Sequence, residues 1–120
     1  MTFDDYSHDA NITKVYPLNQ QIIYPIMGLG GEAGELFNKI KKILRKRKDY
    51  TPAAIASLSI LEFSPGQIQE VIDELGDCLW YLNAICLDMG FTFNQIAQEN
   101  LIKLQERYKL EPPIKGSIKP

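Results

Sequence analysis

The chain is poor in the residues that usually announce chemistry. It has two cysteines, one histidine and one tryptophan in 120 residues. Cys78 and Cys86 fall in one helical stretch, where eight residues span about 12 Å, too far for a disulfide. A reduced, cytoplasmic protein is the expectation. His8 is too isolated to support a zinc site or a histidine-based triad. No apolar run reaches 18 residues and Met1 to Asp5 lacks the apolar core of a signal peptide, so no membrane association is expected. A basic excess is missing as well. The formal net charge is −2, which argues against a nucleic-acid partner.

What the chain has is one domain's length, 45% hydrophobic residues and 23% charged residues, enough for a packed core. Period-two alternation is too short anywhere to predict a sheet, so an all-α bundle of four to five helices is expected. A short helix is predicted over 3–14. A longer one follows, with Pro25 in its first turn and its end near Arg47. Setting Glu32 at 0°, its residues Ile26, Leu29, Ala33, Leu36, Phe37, Ile40, Ile43 and Leu44 fall between about 20° and 140°, one apolar face. Gly28, Gly30, Gly31 and Gly34 weaken that helix by about 1 kcal/mol each relative to alanine. They predict either close approach of another backbone or ligand, or a break near Gly30 and Gly31. Seven of the 13 basic residues lie between Lys39 and Lys48, cations that suit a helix C-terminus.

The connector 49–63 carries a small helical pattern of its own, opened by Thr51 and Pro52. Ser64, Pro65 and Gln67 form the signature of a capping box, opening a helix that should run to Met89 and stop at Gly90. Its apolar face is Ile68, Val71, Leu75, Cys78, Leu79, Leu82, Ile85, Cys86 and Met89. Thr92 and Gln95 repeat the box for a last helix to about Lys109. Pro112, Pro113, Gly116 and Pro120 predict an irregular, mobile tail over 110–120.

Glu32 and Glu35 are three apart on one helix, and Glu74 and Asp77 repeat that spacing on another. Each pair flanks its apolar face rather than opposing it. Were the two helices to pack antiparallel, four carboxylates would meet and repel one another unless a cation neutralised them. With no histidine to join them, oxygen-only ligation points to Mg²⁺, with Mn²⁺ as a substitute. The plain alternative is two solvated acidic faces.

The run Gly28, Leu29, Gly30, Gly31, Glu32, Ala33, Gly34, Glu35, Leu36 resembles the first motif of MazG-like nucleotide pyrophosphohydrolases. Asp73, Glu74, Leu75, Gly76, Asp77, Cys78, Leu79, Trp80, Tyr81, Leu82 is similar to the second, and Asn100, Lys103, Leu104 and Arg107 to the pattern in the last helix. The resemblance covers about 24–108 of a single domain, 1–120. Gly31 stands where the family often has a further glutamate. The resemblance implies an all-α NTP pyrophosphatase-like fold. It also implies Mg²⁺-dependent hydrolysis of a nucleoside or deoxynucleoside triphosphate to monophosphate and pyrophosphate, a house-cleaning role in nucleotide-pool control.

It carries the metal role onto Glu32, Glu35, Glu74 and Asp77, with Glu32 and Glu35 the better candidates for catalysis, the base being a carboxylate or a metal-bound hydroxide. Substrate binding falls to Asn100, Lys103 and Arg107, whose alternative is a solvated polar face. Tyr81 is either a phosphate contact or a boundary tyrosine. Lys39, which shares a stripe with Lys42, Lys46 and the first acidic pair, either pairs with Glu35 or touches phosphate. Trp80 points away from the main apolar face, as expected of a subunit interface or a base-stacking wall. A homodimer or homotetramer is expected, because so few helices can hardly enclose a nucleotide. The competing readings are a related enzyme acting on dUTP or phosphoribosyl-ATP, and a helical interaction module without activity.

Overall fold

A computed structural model describes residues 1–47, 51–53 and 58–118. Among these the protein is all-α, with four helices and no strand: α1 (Phe3–Asn11), α2 (Ile23–Arg47), α3 (Pro65–Met89) and α4 (Phe93–Tyr108). None is long and apolar enough to cross a membrane. The chain divides into two compact units, 23–82 and a second formed by 1–22 with 83–120.

In the first unit α2 is continuous through Gly28, Gly30, Gly31 and Gly34, so the alternative of a break near Gly30 and Gly31 does not occur. The reason is visible only at Gly28, where a Cβ would fall inside the ring of Tyr81; the other three face open space. Helices α2 and α3 run antiparallel. Gly28 lies against Tyr81, Lys39 against Glu70 and Glu74, and Arg47 bonds Glu62, just ahead of α3, at 3.1 Å. Ser64 caps α3 as its sequence predicts: its Oγ accepts the Gln67 N–H at 3.1 Å, and the Gln67 side chain accepts the Ser64 N–H at 2.8 Å. Ahead of it, Ser59 and Glu62 make the same reciprocal cap on a 3₁₀ turn, Ile60–Glu62. The helical pattern read over 49–63 lies partly outside the described residues.

The apolar faces are covered only in part. Ile43 and Leu44 are buried at 4% and 6% exposure, whereas Phe37 is 77% exposed, Ile26 48% and Leu75 51%. The expected stripe is therefore buried near the end of α2, half-buried at Leu29, Leu36 and Ile40, and exposed at Ile26 and Phe37. One pair of helices cannot cover stripes of that width, and exposed apolar area of this kind marks contact surfaces.

In the second unit Asn83, in the last turns of α3, is a buried polar residue. It is satisfied reciprocally by α1: Ser7 Oγ donates to Asn83 Oδ1 at 2.6 Å, and Asn83 Nδ2 donates to the Ser7 carbonyl at 3.3 Å. Phe3 and Tyr6 of α1 pack on Phe93 of α4, with ring centroids 5.7 and 6.4 Å apart. Helix α1 is shorter than its sequence predicts. The N–H groups of Ile12 and Thr13 bond back only three residues, and Thr13 Oγ1 takes the Ala10 carbonyl, a side-chain competitor that ends helices. Gly90, at φ 81°, stops α3 as expected.

The tail is irregular, as its prolines and Gly116 predict, and it is bonded to α4. Gln105 of α4 donates to the Leu110 carbonyl and accepts the Ile114 N–H, both at 2.7 Å, and Gln98 donates to the Ile118 carbonyl. These bonds hold a 3₁₀ turn, Lys115–Ser117, on α4. Two glutamine side chains supply the partners that an irregular backbone otherwise takes from water.

Candidate metal centre

Carboxylate oxygens of Glu32, Glu74 and Asp77 all lie within 4.8 Å of one another. The antiparallel packing makes this so: the first acid comes from α2, and the other two, one turn apart, from α3. Glu32 and Glu74 are half-buried and Asp77 is exposed. The crowding has an electrostatic signature. Glu32 is held above its ordinary value of 4.5 by a hydrogen bond to Glu74, by burial, and by the charges of Asp77, Glu74 and Glu35. Crowded carboxylates repel one another and are short of positive charge, and an all-oxygen group of this size suits a hard divalent cation. The residues present thus fit the ion that the sequence implies.

Glu35 stands outside the group of three. It is exposed, one turn along α2, and its Oε1 accepts from Asn38 Nδ2 at 3.4 Å; its charge nonetheless contributes to the rise at Glu32. Lys39 does not pair with Glu35. Its Nζ crosses to α3 and sits 3.8 Å from Glu74 and 3.9 Å from Glu70, with the side chain 19% exposed. Glu70 shares the helical stripe of Glu74 and Asp77, but its spacing does not announce Lys39 as a neighbour.

Tyr81 borders the acidic group. Burial, the charges of Glu32 and Asp77, and a hydrogen bond with Tyr24 all raise its hydroxyl above the ordinary value of 10.0. Trp80 is half-buried rather than fully outward, and its ring stands edge-on to Tyr81 at 5.1 Å and 88°. Cys78 adjoins the same acids; burial and the charges of Glu32, Glu74 and Asp77 push its thiol up, which makes it a poor nucleophile. Asn100, Lys103 and Arg107 are exposed residues of α4 and belong to the second unit.

The model of the MazG nucleotide pyrophosphohydrolase domain matches residues 24–110, nearly the span carried by the sequence motifs. The chain is also similar to the Gene 37 protein of Mycobacterium phage L5, at 34% identity over 113 residues, 89% of each chain. No solved structure gives a significant match. A family match across most of the chain leads to one conclusion: this chain belongs to the MazG nucleotide pyrophosphohydrolase domain family.

Proposed function

We propose that the protein hydrolyses a nucleoside or deoxynucleoside triphosphate to the monophosphate and pyrophosphate, with Mg²⁺ held by Glu32, Glu74 and Asp77 and by Glu35 from the next turn. The observation that carries this reading is the meeting of three motif carboxylates within 4.8 Å in a chain of this family. When bound, the ion supplies positive charge against the charge on the transferring phosphoryl group. The protein supplies the rest. Glu32 and Glu35 are the candidate bases for the attacking water. Glu32 is the better placed, since crowding already raises its proton affinity.

Lys39, through its point charge, and Tyr81, through its hydroxyl, contact substrate phosphates. Lys103 and Arg107 offer cations and Asn100 an amide to phosphate or sugar. The exposed apolar surface of α2 and α3, with Gly30, Gly31 and Gly34 open beside it, supports a homodimer or homotetramer; light scattering that returns a fully active monomer refutes that assembly. A reduced cytoplasmic setting accords with the free thiols Cys78 and Cys86. The enzyme reading is tested with a panel of nucleoside triphosphates, dUTP and phosphoribosyl-ATP included. Mg²⁺-dependent pyrophosphate release from at least one supports it, and none from any overturns it.

A further inference from the structure

Beside the acidic group lies a cavity of about 290 Å³ that neither motif accounts for. Lys39, Lys42 and Lys46, one stripe along α2, line it together with Ile43, Ser64 and Gln67; among the described residues Glu70 is its one acidic lining residue. A second cavity of about 310 Å³ shares Ile43, Lys46, Ser64 and Gln67 and continues to Arg47 and Glu62. The charges are unevenly committed. Glu70 lies 3.9 Å from Lys39, and Glu62 bonds Arg47. Among the described residues Lys42 and Lys46 have no ion pair. The amides of Ser64 and Gln67 are already taken by their reciprocal cap, so the attraction comes from lysine side chains.

We propose that the cavity of Lys39, Lys42 and Lys46 is an anion site that takes a condensed phosphate, the pyrophosphate end of the triphosphate before cleavage and free pyrophosphate after it. This rests on the function proposed above. Three amines at intervals of three and four residues spread over about 10 Å of helix, a length that suits linked phosphates better than a single small anion. The space is at the small end for a whole nucleotide. Lysine serves phosphate as a point charge with rotatable donors. Lys39 both lines the cavity and stands 3.8 Å from Glu74 of the acidic group. Pyrophosphate held in the cavity therefore lies next to Glu74 of the acidic group.

The test is calorimetric titration of the full chain with sodium pyrophosphate in EDTA, so that no metal bridges the ligand to the carboxylates. Lys42→Ala/Lys46→Ala is compared with wild type and with Lys42→Arg/Lys46→Arg, all checked for native helicity by circular dichroism. The site predicts binding by wild type, a loss of tenfold or more in the alanine pair, retention in the arginine pair, and weaker binding of inorganic phosphate. Wild type that binds no pyrophosphate at millimolar concentration, or an alanine pair within twofold of wild type, overturns it. The two proposals separate cleanly. Lysine-dependent pyrophosphate binding without nucleotide turnover keeps the anion site and removes the enzyme reading. Mg²⁺-dependent turnover with lysine-independent pyrophosphate binding does the reverse.

Discussion

The ring of Tyr81 occupies the space beside Gly28 that any side chain would need. That contact brings α2 and α3 together one turn from Glu32 and Asp77, and it links a helix-weakening residue of the first motif to an aromatic residue of the second. Gly28→Ala would gain about 1 kcal/mol of helix propensity, but overpacking against a rigid ring costs about 1–3 kcal/mol. The net expectation is a lower melting temperature. Gly30→Ala, with nothing near its Cβ, should leave the protomer as stable or more so. Thermal unfolding of the two variants side by side checks this; equal effects would show that Tyr81 yields without strain.

Glu32 gives the metal-free protein a pH dependence of defined sign. Its folded value is raised above 4.5, first by the hydrogen bond to Glu74, then by burial and the neighbouring acids. The destabilisation is absent below the ordinary value and grows as pH rises through the raised one. In EDTA, stability should therefore fall across that window in wild type and stay flatter in Glu32→Gln. Mg²⁺ should stabilise wild type near neutral pH more than it stabilises the variant. Melting curves against pH, with and without Mg²⁺, measure both effects.

Asp88 behaves in the opposite sense. Its carboxylate, with a fully buried side chain, accepts from Lys14 Nζ at 2.8 Å, Tyr16 Oη at 2.6 Å and the Ile22 N–H at 2.9 Å. Burial raises its pKa, but these three donors together hold it below the ordinary 3.8. The stability it contributes is present above that value and is lost as pH falls through the lowered one. Asp88→Ala should cost about 2–3 kcal/mol, since it leaves charged and neutral donors unanswered. Denaturant titration at neutral pH checks the loss, which should shrink in acid.

Lys103 and Arg107 separate phosphate binding from metal binding. Either alanine variant should lower kcat/KM by about 1.5–3 kcal/mol, the range for hydrogen bonds to charged groups, and leave Mg²⁺ affinity without nucleotide unchanged. If instead they only pair with exposed acids such as Glu99 or Glu106, kcat/KM stays within about twofold, because such pairs are worth about 0–1 kcal/mol. Steady-state kinetics with metal titration of each variant decides.

Much of this was legible in the residues because it is local. The capping boxes at Ser64 and Thr92 need only a side chain three residues on, and they appear as read. The acidic group was legible because spacing of three puts Glu74 and Asp77 one turn apart, although only packing selected Glu32 over Glu35 as their partner. Partners distant in sequence were hidden. Nothing near Asp88 announces Lys14 or Tyr16, more than 70 residues away. The basic cavity joins the end of α2 to the start of α3 across the connector. The tail's irregular backbone was legible from its prolines and Gly116, but not the glutamines that hold it.

The central claim is that the carboxylates joining α2 to α3 hold the ion on which phosphoryl transfer depends. Pyrophosphate release from a turned-over triphosphate, titrated with Mg²⁺ in wild type, Asp77→Ala and Glu35→Ala, tests it most directly. The account predicts saturable Mg²⁺ dependence in wild type, and loss of activity in both variants with far-UV helicity retained. Near wild-type turnover in Asp77→Ala at the same Mg²⁺ concentration would contradict it.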